Sequence, residues 1–121
     1  MLKVQMILFG GDVMEQLALC ELVEGIRQVM PDQIISIVLY GSVARGTATN
    51  ESDIDIAIIV KDKLDSATED ALSDVIVDLN LKYDKVFSIV DIQDEELKRW
   101  GNVLPFFKNV AKDGVVLWKA A

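Results

Sequence analysis

The chain has no histidine and a single cysteine, Cys20, among its 121 residues. Lack of histidine removes Ser-His-Asp chemistry and the commonest zinc ligand. Cys20 has no partner for an intrachain disulfide and no imidazole to activate it. It lies within a helical apolar pattern and is read as an inert, packed thiol. Any bound metal must therefore be held by oxygen, which favours hard ions such as magnesium or manganese.

Cationic residues are also scarce. Twelve Lys and Arg face twenty Asp and Glu, a formal net charge of -8. Phosphate backbones demand a basic surface, and no Lys/Arg run supplies one, so no nucleic-acid partner is expected. A charged small molecule carrying its own metal, or a basic protein, fits better. Although 51% of the residues are apolar, no apolar run approaches the roughly 18 residues of a membrane span. The start, MLKVQMILFGG, lacks a basic leader and a cleavage site. Residues 1–11 are expected to form a strand or an arm, and the default location is cytoplasmic. Residues 1–121 suit one domain, large enough for a core and too small to add a separate substrate domain.

Strands and helices alternate along the chain. Asp12 and Glu15 resemble a capping box, Leu17, Val23, Ile26 and Met30 recur at helical spacing, and Pro31 stops the run. This predicts a helix over 12–30, weakened slightly by Gly25. Ile34 to Tyr40 is β-branched and almost wholly apolar, as is Asp53 to Val60. Both read as central strands covered on two faces. Ser66 and Glu69 form a second capping box, opening a helix over 66–83 with a stripe at Leu72, Val75, Ile76, Leu79 and Tyr83. A third strand is expected from about Val86 to Ile92, then a helix from Asp94 with acids in its first turn. A further helix should start at Pro105 and stop at Gly114 as its C′ residue, before a short closing strand, VVLW. Trp100, Phe106, Phe107 and Trp118 are read as core. The fold class is α/β, a small mixed sheet flanked by helices.

One segment stands apart. Leu39 to Asp55 reads LYGSVARGTATNESDID. Gly41 allows close approach of backbone to a ligand, Ser42 adds a hydroxyl, and residues 42–45 can form a short helical turn whose N–H groups attract anions. Asp53 and Asp55 alternate with Ile54, so their carboxylates are expected on one strand face, on the order of 6–7 Å apart at the backbone. Two close carboxylates repel unless a cation lies between them. A divalent ion held by two oxygens, water and substrate phosphate meets that need. The arrangement describes a site for a metal-bound phosphate chain.

GSVARGTATNESDID closely resembles the GS-x10-D-x-D signature of nucleotidyltransferases with the DNA polymerase β fold. Its length and its ARG and SDID details are similar to the minimal nucleotidyltransferases that accompany HEPN-domain proteins as antitoxins in prokaryotic toxin–antitoxin pairs. The resemblance implies transfer of a nucleoside monophosphate, AMP above all, from a nucleoside triphosphate such as ATP to a hydroxyl, with release of pyrophosphate. It implies that Gly41 and Ser42 hold the triphosphate, that Arg45 steadies phosphate or pairs with an acid, and that Asp53 and Asp55 hold two magnesium ions. The implied acceptor is a tyrosine of a HEPN toxin. Acceptor recognition would come from that partner or from a homo-oligomer. The family's active members also use a third carboxylate on the next strand. Here that position is Ser88, and Asp91, three residues on, falls on the opposite face unless a bulge brings it round. An alternative function is therefore a non-catalytic module that neutralises a HEPN-type partner by contact, with a degenerate site. Resemblance to antibiotic-modifying nucleotidyltransferases is confined to their first half.

Overall fold

A computed structural model describes residues 13–41 and 53–120. The expected arm at 1–11, the Asp12 cap and the helical turn at 42–45 lie outside the described residues. The elements are α1 (Val13–Val29), β1 (Ile34–Tyr40), β2 (Ile54–Val60), α2 (Ser66–Tyr83), β3 (Phe87–Gln93), α3 (Asp94–Trp100), α4 (Pro105–Lys108), a π-helical turn (Asn109–Asp113) and β4 (Val115–Lys119). The strands form one sheet in the order β3-β2-β1-β4. β1 is antiparallel to both β2 and β4, and β2 is parallel to β3 across the α2 connection, so the sheet is mixed.

β1 and β2 are the two inner strands, as their unbroken apolar sequences require. In β2 every residue except Asp55 is buried. Ile54, Ile56, Ile58 and Val60 face one core, with Leu19, Leu22, Val23 and Ile26 of α1 and Leu72 and Leu79 of α2. Ala57 and Ile59 face a second, smaller core on the other side of the sheet, with Val38, Ile92 and Val110. Leu97 and Phe107 pack against that second core. Thus α1 and α2 cover one face of the sheet, and the segment from α3 to the π turn covers the other.

Several expectations change. Leu17 is 48% exposed. It precedes Val23 by six residues, about a third of a turn away from the direction that Val23 buries. The α2 cap is Asp65, not Ser66: the Thr68 backbone N–H donates to Asp65 Oδ1 at 2.8 Å. Gly25 also has a packing role: a Cβ there would lie 2.7 Å from Val75 Cγ1, so its missing side chain lets α1 approach α2 closely. At one end of the same interface Lys82 Nζ meets Glu21 Oε1 at 2.7 Å. The helix expected over 105–113 divides into one α turn opened by Pro105 and the π turn, which places Val110 in the second core. Gly114 is extended (φ -70, ψ 149) and not left-handed, so it is no C′ cap. Trp100 and Phe106 are 38% and 37% exposed, whereas Phe107 and Trp118 are half-buried against the two cores. Cys20 is a free, half-buried thiol. Among the described residues no helix is long and apolar enough to cross a membrane.

Candidate active site

The site is built where three strand ends meet. β1 finishes at Tyr40 beside the start of β2, and β3 starts on the other side of β2. Asp55 is paired in register with Tyr40 on β1 and with Ser88 on β3. Directly paired residues of neighbouring strands present their side chains on the same face. Tyr40, Asp55 and Ser88 therefore form a row across the sheet on the face away from α1 and α2. Asp55 and Tyr40 are half-buried and Ser88 is exposed. Asp53 is exposed and lies one residue before β2, so the strand starts slightly later than its sequence pattern suggests. The Ile54 N–H donates to the Val86 carbonyl at 2.8 Å, which ties this start to the approach of β3.

Gly41 follows Tyr40 with φ +77. Such a backbone favours glycine. Space imposes the same choice, because a Cβ on Gly41 would overlap Asp55 Oδ2 and lie 3.2 Å from Asp55 Cγ. The chain thus turns away from β1 with its bare backbone against the carboxylate. Burial, and then the charge of Asp55, hold the Tyr40 hydroxyl above the ordinary phenol range. The Tyr40 ring meets Phe106 edge-on, with centroids 5.5 Å apart at 86°. Phe106 in turn meets Phe107, centroids 5.4 Å apart at 79°.

Of the residues that the sequence singled out, Gly41 and Asp55 are in contact, and Asp53 lies at the same end of the sheet, one residue before β2. Ser42 and Arg45 lie outside the described residues. β2 and β3 pair without a register shift, and Asp91 is opposite Ile58, on the face of α1 and α2. No bulge brings it round to Asp55. Among the described residues no group of three Asp, Glu, Cys or His side chains is placed to hold a metal. Asp53, Asp55 and Ser88 offer hard oxygens, the donor type that suits magnesium when substrate phosphates and water complete the shell. The sequence does not place Tyr40 at this corner and marks Phe106 as core. Tyr40 was legible as the residue before Gly41, but the contact with Phe106 depends on how α4 returns to the sheet.

In this mixed sheet a left-handed glycine closes β1 against a carboxylate of β2. Residues 24–120 match the family model for "Polymerase beta, Nucleotidyltransferase", and the chain belongs to that nucleotidyltransferase family. It is 35% identical over 104 residues to "Putative protein adenylyltransferase MJ0604" of Methanocaldococcus jannaschii, covering 86% of this chain and 98% of the relative. Among solved structures it is similar to a chain of a toxin–antitoxin crystallised with AMP-PNP, with 26% identity and a TM-score of 0.59 over 84% of this chain and 73% of that one. A chain from the complex of a tri-AMPylated Shewanella oneidensis HEPN toxin with its MNT antitoxin shares the fold, at 23% identity and a TM-score of 0.56 over 88% and 73% of the two chains.

Proposed function

We propose that this chain is a metal-dependent adenylyltransferase acting in the cytoplasm as an antitoxin, and that it moves AMP from ATP to a tyrosine hydroxyl of a HEPN-type protein partner. The observation that carries the proposal is the contact of Gly41 with Asp55, which sets bare backbone directly against a carboxylate at the end of the sheet. The likeness to a relative named as a protein adenylyltransferase and to a toxin–antitoxin with AMP-PNP supports the choice of nucleotide and partner.

In this proposal Gly41 lets the triphosphate approach the main chain, while Ser42 and Arg45 contribute a hydroxyl and a positive charge to it. Asp53 and Asp55 would hold magnesium, whose chemistry is to orient the α-phosphate and offset the charge of the leaving pyrophosphate. The acceptor oxygen forms a bond to the α-phosphorus, the bond from that phosphorus to the bridging oxygen breaks, and pyrophosphate leaves with the electron pair. The hydroxyl proton passes to solvent or to a base on the partner, since Ser88 offers no carboxylate beside Asp55.

That serine also supports a second reading, a module that neutralises its partner by contact alone. Incubation with ATP, magnesium and a HEPN protein encoded beside it, followed by intact-mass measurement of that protein, separates the two. The transferase adds the mass of AMP. An inhibited partner of unchanged mass leaves only the contact reading.

A further inference from the structure

We propose that Phe106, braced by Tyr40 and Phe107, is the platform on which the base of the bound nucleotide stacks. The inference rests on the nucleotide site proposed above and adds a specificity element to it. Phe106 is 37% exposed although its ring touches two others. Phe107 anchors that contact in the second core. Tyr40 anchors it in the sheet, as the register partner of Asp55. The ring is therefore one side chain removed from the carboxylate that faces the phosphates, on the same side of the sheet.

The backbone beneath the ring is fixed as well. Pro105 occupies the first turn of α4, and the Lys108 N–H donates to the Leu104 carbonyl at 2.9 Å. A ring held in place before the ligand arrives loses little rotamer freedom on binding. An aromatic face also stacks on any base, because every base has a π face. The occupant we infer is the base rather than a polypeptide, because the base is tethered through one ribose to the phosphates proposed to bind beside Gly41 and Asp55. Stacking alone reads size and not base edges. ATP and GTP are expected to bind alike, and both more tightly than CTP or UTP.

The test compares magnesium-supported binding of ATP, CTP and inorganic tripolyphosphate by the wild-type chain, Phe106→Ala, Phe106→Leu and Phe106→Trp. Leucine keeps apolar volume against Tyr40 and guards against collapse of the three-ring stack. The expected result is a loss of ATP affinity of roughly tenfold or more in the alanine and leucine variants. Tripolyphosphate should bind them as it binds the wild type, and tryptophan should retain ATP. Unchanged ATP affinity in both variants overturns the platform while leaving the phosphate site in place. Unchanged affinity with lost transfer to a partner overturns it too, and gives the ring to the acceptor. Wild-type protein that binds neither ATP nor tripolyphosphate overturns the nucleotide site itself, and the platform with it.

Discussion

Gly41 and Asp55 touch across the β1–β2 pair, with the glycine in a left-handed conformation and no room for a Cβ between its backbone and the carboxylate. Gly41→Ala should disturb both partners at once. The left-handed backbone alone costs an alanine about 1–2 kcal/mol, and the added methyl pushes the carboxylate aside. We expect a modest fall in Tm by circular dichroism with a far larger loss of ATP affinity by calorimetry. A variant that binds ATP as the wild type does would sink the assignment of this corner as the nucleotide site.

Asp53→Asn and Asp55→Asn keep the shape of each side chain and remove its charge. Each should reduce magnesium-dependent ATP binding by more than the roughly 10–100-fold typical of losing a supporting contact to a metal. The folded state should survive, since Asp53 is exposed and Asp55 half-buried. Titration calorimetry with and without magnesium checks this, and affinities that stay unchanged would place the metal elsewhere.

Ser88→Asp sets a second carboxylate in register beside Asp55. Like charges directly opposite on adjacent strands are destabilising, by up to about 1 kcal/mol. The metal-free variant should therefore melt below the wild type, and magnesium should raise its Tm more than it raises that of the wild type. Melting curves at several magnesium concentrations decide it. An identical magnesium response in the two proteins would show that position 88 does not face the site.

Gly25→Ala tests the close approach of α1 and α2. Overpacking against Val75 costs about 1–3 kcal/mol, partly offset by about 1 kcal/mol of helix propensity. The net effect in the wild-type background should be a loss of stability in chemical denaturation. In a Val75→Ala background the overlap with Val75 Cγ1 is gone, so the same substitution should become stabilising. A substitution with the same sign in both backgrounds would mean that the helices separate without resistance.

Asp65 provides a pH dependence with a definite sign. Hydrogen bonds from Thr68 hold its carboxyl below the ordinary Asp range. Its folded pKa is depressed, so at intermediate pH the unfolded chain binds more protons and stability rises with pH. The contribution is complete above the unfolded Asp value and is lost as pH falls through the depressed folded value. Asp65→Ala should lower the Tm by a few degrees at neutral pH, and the gap from the wild type should close in acid. Asp65→Ser should retain most of the cap at all pH values, because serine caps without ionising.

Much of this architecture is legible in the residues. Ile34–Tyr40 and Ser66–Tyr83 have the bounds that their β-branched run and apolar stripe indicate. Gly41, Asp53 and Asp55 stand out by spacing alone, and strand parity already sends Asp91 away from the pair. What the sequence hides depends on packing at a distance. Asp65 and Ser66 are both good caps one residue apart, and only the hydrogen bond to Thr68 distinguishes them. Gly25 looks like a flaw until Val75 is seen against it. Phe106 looks like core in an apolar stretch, yet its ring is partly exposed and packs edge-on against Tyr40.

The neighbours of β1 also bear on the order of assembly. Its partner on one side, β2, is the next strand in the chain, but its partner on the other side is β4, where Val38 meets Val116 and Leu39 meets Val115. Contacts between residues so far apart in sequence form late, because the intervening chain must be closed into a loop before any pairing compensates for it. During synthesis, β2 emerges to pair with β1 well before β4 does. The end of the sheet that presents Gly41 and Asp55 acquires its final rigidity only after residues 115–119 have emerged.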